Sequence, residues 1–438
     1  MNRILLVIFS VTAGALILFS SNCMAKEISK PIETAIATHV SNDHQRALAL
    51  LKETVDINSG TMNFAGVRKV GSVFEREFKA LGFSTQWIDG KAFNRAGHLV
   101  AQYGTRGPRI LLIGHLDTVF AEDSTFQKMQ ALSDGKASGP GITDMKGGDV
   151  IIVHALRALR ETGQLRNMQI RVVLTGDEEN SGDPTSLSKK ALLAAGEWAD
   201  IAIGFEDGDG DPKTAAISRR GASGWQLEVK GKPAHSSQIF QPNVGYGAIF
   251  EAARILDGFR VALSTQPNLS FNPGVIVGGT DITLDEQTSR GTAFGKGNVI
   301  AQTVRVNGDL RAISPEQLNL ARQTMSKIVA EHLPGASATI LFDDGYPPMA
   351  PTEGNAKLLS IYSKASEDYG FGSVVAINAR NAGAADISFV ADKVVMALDG
   401  IGLMGSGGHT VNEVGDLNSL DSQTIRAAIT LYRLSLLY

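Results

Sequence analysis

The sequence predicts an α/β protein: a mostly parallel central sheet flanked by helices, interrupted by an inserted ferredoxin-like α+β unit. Two rhythms and a length lead there. In the first and last parts of the chain, short apolar runs bounded by turn residues alternate with helical patterns, as in βαβ units. Between about Arg219 and Pro348 the order changes to β-α-β-β-α-β. The chain has 438 residues, 43% of them hydrophobic, too many for one simple core, which implies two domains.

The N-terminus stands apart. Met1-Asn2-Arg3 is followed by an apolar run from Ile4 to Phe19 and then by Ser20-Ser21-Asn22-Cys23-Met24-Ala25. That three-part pattern reads as a secretory signal cleaved after Ala25, so the expected location is periplasmic or secreted. A membrane anchor would need ~20 apolar residues. A lipoprotein site at Cys23 is disfavoured by the poor approach of Ser20-Ser21-Asn22. Cys23 is the only cysteine, and cleavage removes it, leaving no thiol, disulfide or cysteine-zinc site in the mature chain. No other segment looks membrane-spanning. A formal charge of -4 without a basic run gives no reason to expect nucleic acid.

From Lys26 the pattern is helical through Ala47, Leu48, Leu51 and Val55, and again from Gly66 to Leu81. Strands are expected over His98 to Tyr103, Arg109 to Ile113, Gln169 to Thr175, Asp200 to Phe205 and Val394 to Leu398. Helices are expected over Gly148 to Thr162 and Ser186 to Ala195. Within the insertion, strands are expected over Trp225 to Lys230, Phe271 to Val277, Val299 to Leu310 and Ala338 to Phe342. Helices there cover Val244 to Phe259 and Pro315 to Leu333. The boundaries that follow are a signal over 1–25, a first domain in two parts (26–218 and 349–438), and the insertion over 219–348. Pro347-Pro348 and Pro351 mark the return.

Ligands of such sheets gather beyond the carboxyl ends of the strands, and three short stretches sit there. In His115-Leu116-Asp117 the side chains two apart share a face, and an acid there suits the second ring nitrogen of a metal-bound imidazole. Asp144 lies in a turn between Gly139-Pro140-Gly141 and Gly147-Gly148, where glycines let the main chain crowd a metal site. A phosphate loop is excluded, since Lys146 is followed by Gly147 rather than Ser or Thr. Gly405-Ser406-Gly407 fails as a nucleophile elbow because Met404 precedes it. Glu178-Glu179 follows a strand, so one acid can ligate a metal while its neighbour contacts a bound water. Glu206 follows Phe205 in the same position, with Asp207 and Asp209 as weaker substitutes, and His409 ends a glycine-rich run. Carboxylates crowded in this way call for cations. His154 reads as structural, and His39, His44, His98 and His332 lack supporting context.

In this order and over nearly the whole mature chain, these motifs resemble the superfamily of acetylornithine deacetylase, succinyl-diaminopimelate desuccinylase, aminoacylase and glutamate carboxypeptidase. Phe205-Glu206 and the run from Gly139 to Gly148 look most like the glutamate carboxypeptidases (carboxypeptidase G type). The resemblance implies a zinc-exopeptidase catalytic domain with a lid and dimerisation domain inserted in it. Asp144 would bridge two zinc ions, with Glu179 and His409 on one and His115 and Glu206 on the other. Asp117 would orient His115, and Glu178 would be the general base. The lid would supply Asn298 and Arg311 to the substrate, together with His235 reaching into the partner's site of a homodimer. Gly383 matches a substrate-loop position, and Thr410-Val411-Asn412-Glu413 departs from relatives. Oxygen and nitrogen ligands would also suit cobalt or manganese.

The function implied is hydrolysis of an amide beside a free carboxylate in a small peptide or N-acyl amino acid, with C-terminal glutamate as the leading product. An N-acyl amino acid amidohydrolase or dipeptidase is the alternative on the same scaffold. A non-catalytic metal or peptide binder is the rival of another class, and it would have no use for a base at Glu178.

Overall fold

The computed structural model describes residues 30–285 and 290–437, so the signal expected over 1–25, with Cys23, lies outside the described residues. Chain order begins with helices α1 (30–42), α2 (His44–Val55) and α3 (Phe64–Ala80). Asn63 caps α3 by accepting the Gly66 amide, which satisfies one orphan donor of its first turn. Strands β1 (Ser84–Asp89), β2 (Gly97–Tyr103) and β3 (Arg109–His115) follow, then helix α4 (Gly147–Glu161), β4 (Gln169–Thr175), helices α5 (Thr185–Ser188) and α6 (Lys190–Trp198), and β5 (Ile201–Gly204).

Both β3 and β4 are apolar and buried along most of their length, as strands covered on two faces must be. They pair in parallel with each other, and β3 pairs in parallel with β5 on its other side. The chain therefore leaves β3 in one direction to make β4 and crosses to the opposite side to make β5. That reversal opens a crevice at the carboxyl end of β3. β2 runs antiparallel to β1 and to β4, so the sheet is mixed at that edge. Edge strand β1 was not expected: Ser84-Thr85-Gln86 carries none of the apolar run that marks the central strands.

The insertion comprises β6 (Ala222–Gly231), α7 (Gly247–Leu263), β7 (Ser270–Gly279), the hairpin strands β8 (Asp281–Asp285) and β9 (Arg290–Phe294), β10 (Thr303–Arg311), α8 (Pro315–Ala330) and β11 (Ala336–Tyr346). Its sheet runs β7-β10-β6-β11, antiparallel throughout, which is the ferredoxin-like arrangement expected, with the β8–β9 hairpin added. One face of this sheet packs its own core on α7 and α8, around Trp225, Phe259 and Met325. The strand expected from Val299 begins only at Thr303, because Val299 instead bridges to His235.

The two connections between the units run side by side, Arg219 exchanging main-chain hydrogen bonds with Met349. Helix α9 (Glu353–Asp368), strand β12 (Met396–Leu398) beside β5, and helix α10 (Asn418–Ser435) against α4 complete the larger unit. The helix expected over Ser186 to Ala195 breaks between α5 and α6 at Lys189, whose ammonium is committed to buried carboxylates. Among the described residues no helix is long and apolar enough to cross a membrane.

Candidate metal centre

Each strand around the crevice delivers one piece of the site. His115 ends β3, and its Nδ1 lies 3.0 Å from the Asp117 carbonyl. A carbonyl only accepts, so Nδ1 carries the proton and Nε2 faces the site as a ligand. Nε2 lies 3.0 Å from Asp144 Oδ1 and 3.6 Å from Glu206 Oε1. His409 Nε2 lies 2.9 Å from Asp144 Oδ2 and 3.2 Å from Glu179 Oε2. Two groups of ligand atoms result, His115–Asp144–Glu206 and Asp144–Glu179–His409, each within 4.8 Å. Asp144 belongs to both and offers one oxygen to each histidine.

The Asp144 turn is shaped by what it must approach. Gly141 takes a positive φ of 70°, and a Cβ on Gly148 would lie 2.0 Å from the Phe205 carbonyl, so only glycine lets α4 begin against the end of β5. A buried carboxylate far along the chain, Glu413, closes the turn. It accepts from the amides of Gly141 (2.8 Å), Thr143 (2.8 Å) and Asp144 (3.2 Å). The loop after His409 therefore supplies a brace for the Asp144 turn.

Asp117 has a different emphasis from the one expected. Its carboxylate is 3.5 Å from His115 Nδ1, farther than its own carbonyl, and its closer partners are the amides of Glu178 (3.1 Å) and Glu179 (3.2 Å) and Thr61 Oγ1 (2.7 Å). It fastens the Glu178-Glu179 turn to β3. Beneath that turn, Lys189 Nζ lies 3.0 Å from both Asp177 Oδ1 and Asp386 Oδ1. Tyr346, at the end of β11, donates to the Glu178 carbonyl at 2.8 Å. After β12, Asp399 accepts the Glu206 amide at 3.3 Å and pairs with Arg219 at 2.7 Å. Thr61, Lys189, Asp399 and Glu413 were not anticipated. Asp399 alone had a sequence signal, an acid just past a strand end.

Electrostatically the site is short of positive charge. Burial, offset in part by His115, and then Asp386, Glu179 and Asp144 push the Glu178 carboxyl well above its ordinary value. Burial and the carboxylates of Asp144, Glu178 and Asp399 do the same to Glu206, again against the pull of His115. Asp144 and Glu179 hold His409 protonated up to about 11. Asp207 is pushed up to about 7 by burial and Asp144 but belongs to neither ligand group, and Asp209 instead bonds Thr214. Carboxylates recruiting protons and imidazoliums in this way form a donor set that fits divalent cations: oxygen and nitrogen only, in two groups sharing one acid.

The substrate-side expectations separate from this cluster. His235 and Asn298 meet at the rim of the insertion, where the Ser236 amide donates to the Asn298 carbonyl at 2.9 Å and both side chains are exposed. Arg311 pairs with Asp309 at 2.8 Å, and the Gly383 carbonyl accepts from Arg219 at 3.1 Å. Among the described residues, none of these four bonds directly to the two ligand groups. His154 is buried near Asp43, and His98 accepts the Gly176 amide at 3.2 Å beneath the Glu178 turn.

An α/β crevice that gathers two sets of metal-binding side chains around a shared acid, with a further acid beside them, defines a metallohydrolase. Residues 111–433 match the model of peptidase family M20/M25/M40, and the chain belongs to that family, whose enzymes are metallopeptidases and amidohydrolases. The chain is 24% identical over 426 residues to carboxypeptidase G2 of Pseudomonas sp. (strain RS-16), covering 95% of this chain and 96% of that one. A probable succinyl-diaminopimelate desuccinylase of Staphylococcus epidermidis is 32% identical over 163 residues, 36% of this chain and 38% of its own. Among solved structures, the aminopeptidase PepT of Bacillus cereus ATCC 10987 superposes with a TM-score of 0.68 at 18% identity, covering 89% of this chain and 98% of that one.

Proposed function

We propose that the protein is a two-zinc exopeptidase that hydrolyses an amide beside a free carboxylate, releasing C-terminal glutamate. The observation that carries the reading is Glu178, an acid of raised pKa held against the two ligand groups but belonging to neither. Zinc held by His115, Asp144, Glu206, Glu179 and His409 would polarise the scissile carbonyl and acidify a water. Glu178 takes that water's proton and hands it to the leaving nitrogen. Arg311 presents a planar, permanently charged fork to the substrate carboxylate, with the Gly383 loop nearby. Likeness to carboxypeptidase G2 along nearly its whole length favours glutamate over other leaving groups. The N-terminal sequence supports export to the periplasm.

The active form in this reading is a homodimer, in which His235, exposed and apart from the ligand groups of its own chain, serves the partner's site. His235 would donate to the oxyanion, a contribution of roughly 10²–10³-fold in turnover. The test is hydrolysis of a panel of N-acyl glutamates, other N-acyl amino acids and dipeptides by zinc-loaded enzyme, with amidated substrates as controls. Full activity on amidated substrates would remove Arg311 from the reading, and full activity after verified metal removal would sink it entirely. For the dimer, His235→Ala and Glu178→Gln are mixed under subunit exchange. Recovered activity is expected, and none despite proven exchange would confine His235 to its own chain.

A further inference from the structure

A second titratable cluster lies partway along α4, where the N-terminal helices pack on it. His154 of α4 is buried, and among the described residues neither of its ring nitrogens has a hydrogen-bond partner. Asp43, in the joint between α1 and α2, brings Oδ2 to 3.4 Å from His154 Nδ1 but accepts instead from Arg157 Nη1 at 2.8 Å. It stands at the N-cap of α2 without capping it, its carboxylate turned to α4. Glu77 of α3 takes the other side of Arg157 at 2.8 Å and also pairs with Arg46 (3.5 Å) and Arg76 (3.0 Å). His39 of α1 adds Nε2, another buried ring nitrogen without a partner among the described residues. His44 of α2 pairs with Asp421 of α10 at 2.8 Å.

Such a ring is best tolerated neutral, because protonation adds a buried charge beside Arg157 while Asp43 is already committed. Burial, opposed by Asp43 but reinforced by Arg157, His39 and His44, pulls the His154 pKa down to about 4. An exposed imidazole accepts its proton near ~6.5. Above that value the ring is neutral whether packed or released, so acid stability is untouched there. Between ~6.5 and the folded value the released ring gains a proton that the packed ring refuses, and packing weakens as pH falls.

We propose that His154, with His39 and Asp43 around it, is an acid-sensitive latch that releases α1 and α2 from α4 and thereby loosens the support of the metal centre. The joint between α1 and α2 is where these helices are held to α4 by Asp43 and Arg157. The other end of α2 leads into the centre. Just past it, the Ile57 carbonyl accepts from Lys146 Nζ at 3.0 Å, beside Asp144, and Thr61 Oγ1 donates to Asp117 at 2.7 Å. Release of α2 therefore frees two groups that brace the Asp144 turn and the carboxylate holding the Glu178-Glu179 turn.

Amide hydrogen exchange read by mass spectrometry and corrected for intrinsic rates tests the latch on the zinc-loaded chain at pH 7 and pH 5. With the folded value at about 4, the opening equilibrium of α1 and α2 should rise roughly twentyfold between those two conditions. The segment from Ile57 to Thr61 should lose protection with them, while β10 and α8 in the insertion keep theirs within roughly twofold. His154→Leu removes the titrating ring, and its N-terminal helices should change by less than roughly threefold. Three results would overturn the latch: wild-type helices that keep their protection, an equal loss throughout the chain, or a His154→Leu protein with the wild-type loss. Protected amides from Ile57 to Thr61 beside released helices would overturn its reach into the centre. Should His154→Leu fail to fold, exchange of the imidazole C2 hydrogen in the wild type decides. His154 should still be neutral at pH 5 wherever the helices remain packed, and a titration near ~6.5 in the packed protein would overturn the proposal.

Discussion

The two halves of the metal centre are built differently. On one side His115 and Glu206 sit at the ends of neighbouring parallel strands, with the His115 side chain only 1% exposed. Their surroundings are fully assigned: a carbonyl orients His115, and Asp399 holds the Glu206 amide. On the other side His409 is 60% exposed, takes a positive φ of 63°, and follows Gly407 and Gly408. Among the described residues its ring is held by Asp144 and Glu179, which are themselves ligand candidates. The first half is fixed by the fold, whereas the second is the exposed one, its histidine resting on carboxylates. Glu178 and Glu179 stand between them on a turn fastened from below, so Glu178 is tied to the folded half and its neighbour reaches into the other.

The largest effect should come from the acid between the halves. Glu178→Gln removes proton transfer and leaves both ligand groups whole, so kcat should fall by ~10²–10⁴-fold with metal content and KM little changed. Glu179→Gln should instead lose metal. Metal analysis beside steady-state kinetics checks this, and swapped phenotypes would reverse the assignment of base and ligand.

The fastening under the turn comes next. Lys189→Met leaves Asp177 and Asp386 buried without their cation, which should cost ~3–5 kcal/mol of stability. The pH dependence has a definite sign. Burial pushes the Asp177 carboxyl up, but Lys189 and His98 with the bonds from Ser188 and Gly182 outweigh it and hold it below its ordinary value. A depressed folded pKa stabilises above the unfolded value and is lost as pH falls through the folded one. Wild type should therefore shed this contribution on acidification, and Lys189→Met should show a flatter acid limb in urea melts. Identical limbs would mean the ammonium does not hold Asp177 ionised.

The contrast between the halves can be measured directly on metal-free protein. His115→Ala strips a buried partner from Asp144 and Glu206, and ~3 kcal/mol should be lost. His409→Ala removes a largely exposed partner, and the change should stay within ~1 kcal/mol. Equal losses in thermal melts would erase the distinction between a folded half and an exposed one.

Strand-end reasoning worked where an apolar run declares its own end, which is why His115, Glu178, Glu179 and Glu206 were legible together. It could have reached Asp399, which follows Met396–Leu398 in the same way, but that acid has no motif beside it. Glu413 and Lys189 were beyond reach for another reason. Their work is contact across the fold, with amides at 141–144 or with Asp386, and local pattern carries no trace of such a pairing. Edge strand β1 and the exposed β8–β9 hairpin escaped because strands with little to bury show little periodicity. The ferredoxin-like order was legible because both of its helices and all four sheet strands face one core.

The smallest effect tests whether the insertion touches the chemistry through the turn. Tyr346 ends β11, stacks edge-on against Phe389 at 4.9 Å, and donates its hydroxyl to the Glu178 carbonyl. Burial, then Asp386 and Glu178, push its phenol well above the ordinary value, so it remains a donor across the working pH range. Tyr346→Phe keeps the ring contact and deletes one hydrogen bond, which should cost ~0.5–1.5 kcal/mol of stability. Because Asp117 still holds the amides of Glu178 and Glu179, the base should stay near its place and kcat should drop only severalfold, with KM steady. A loss as large as that of Glu178→Gln would show that the contact from the insertion, rather than the fastening within the larger unit, sets the position of the base.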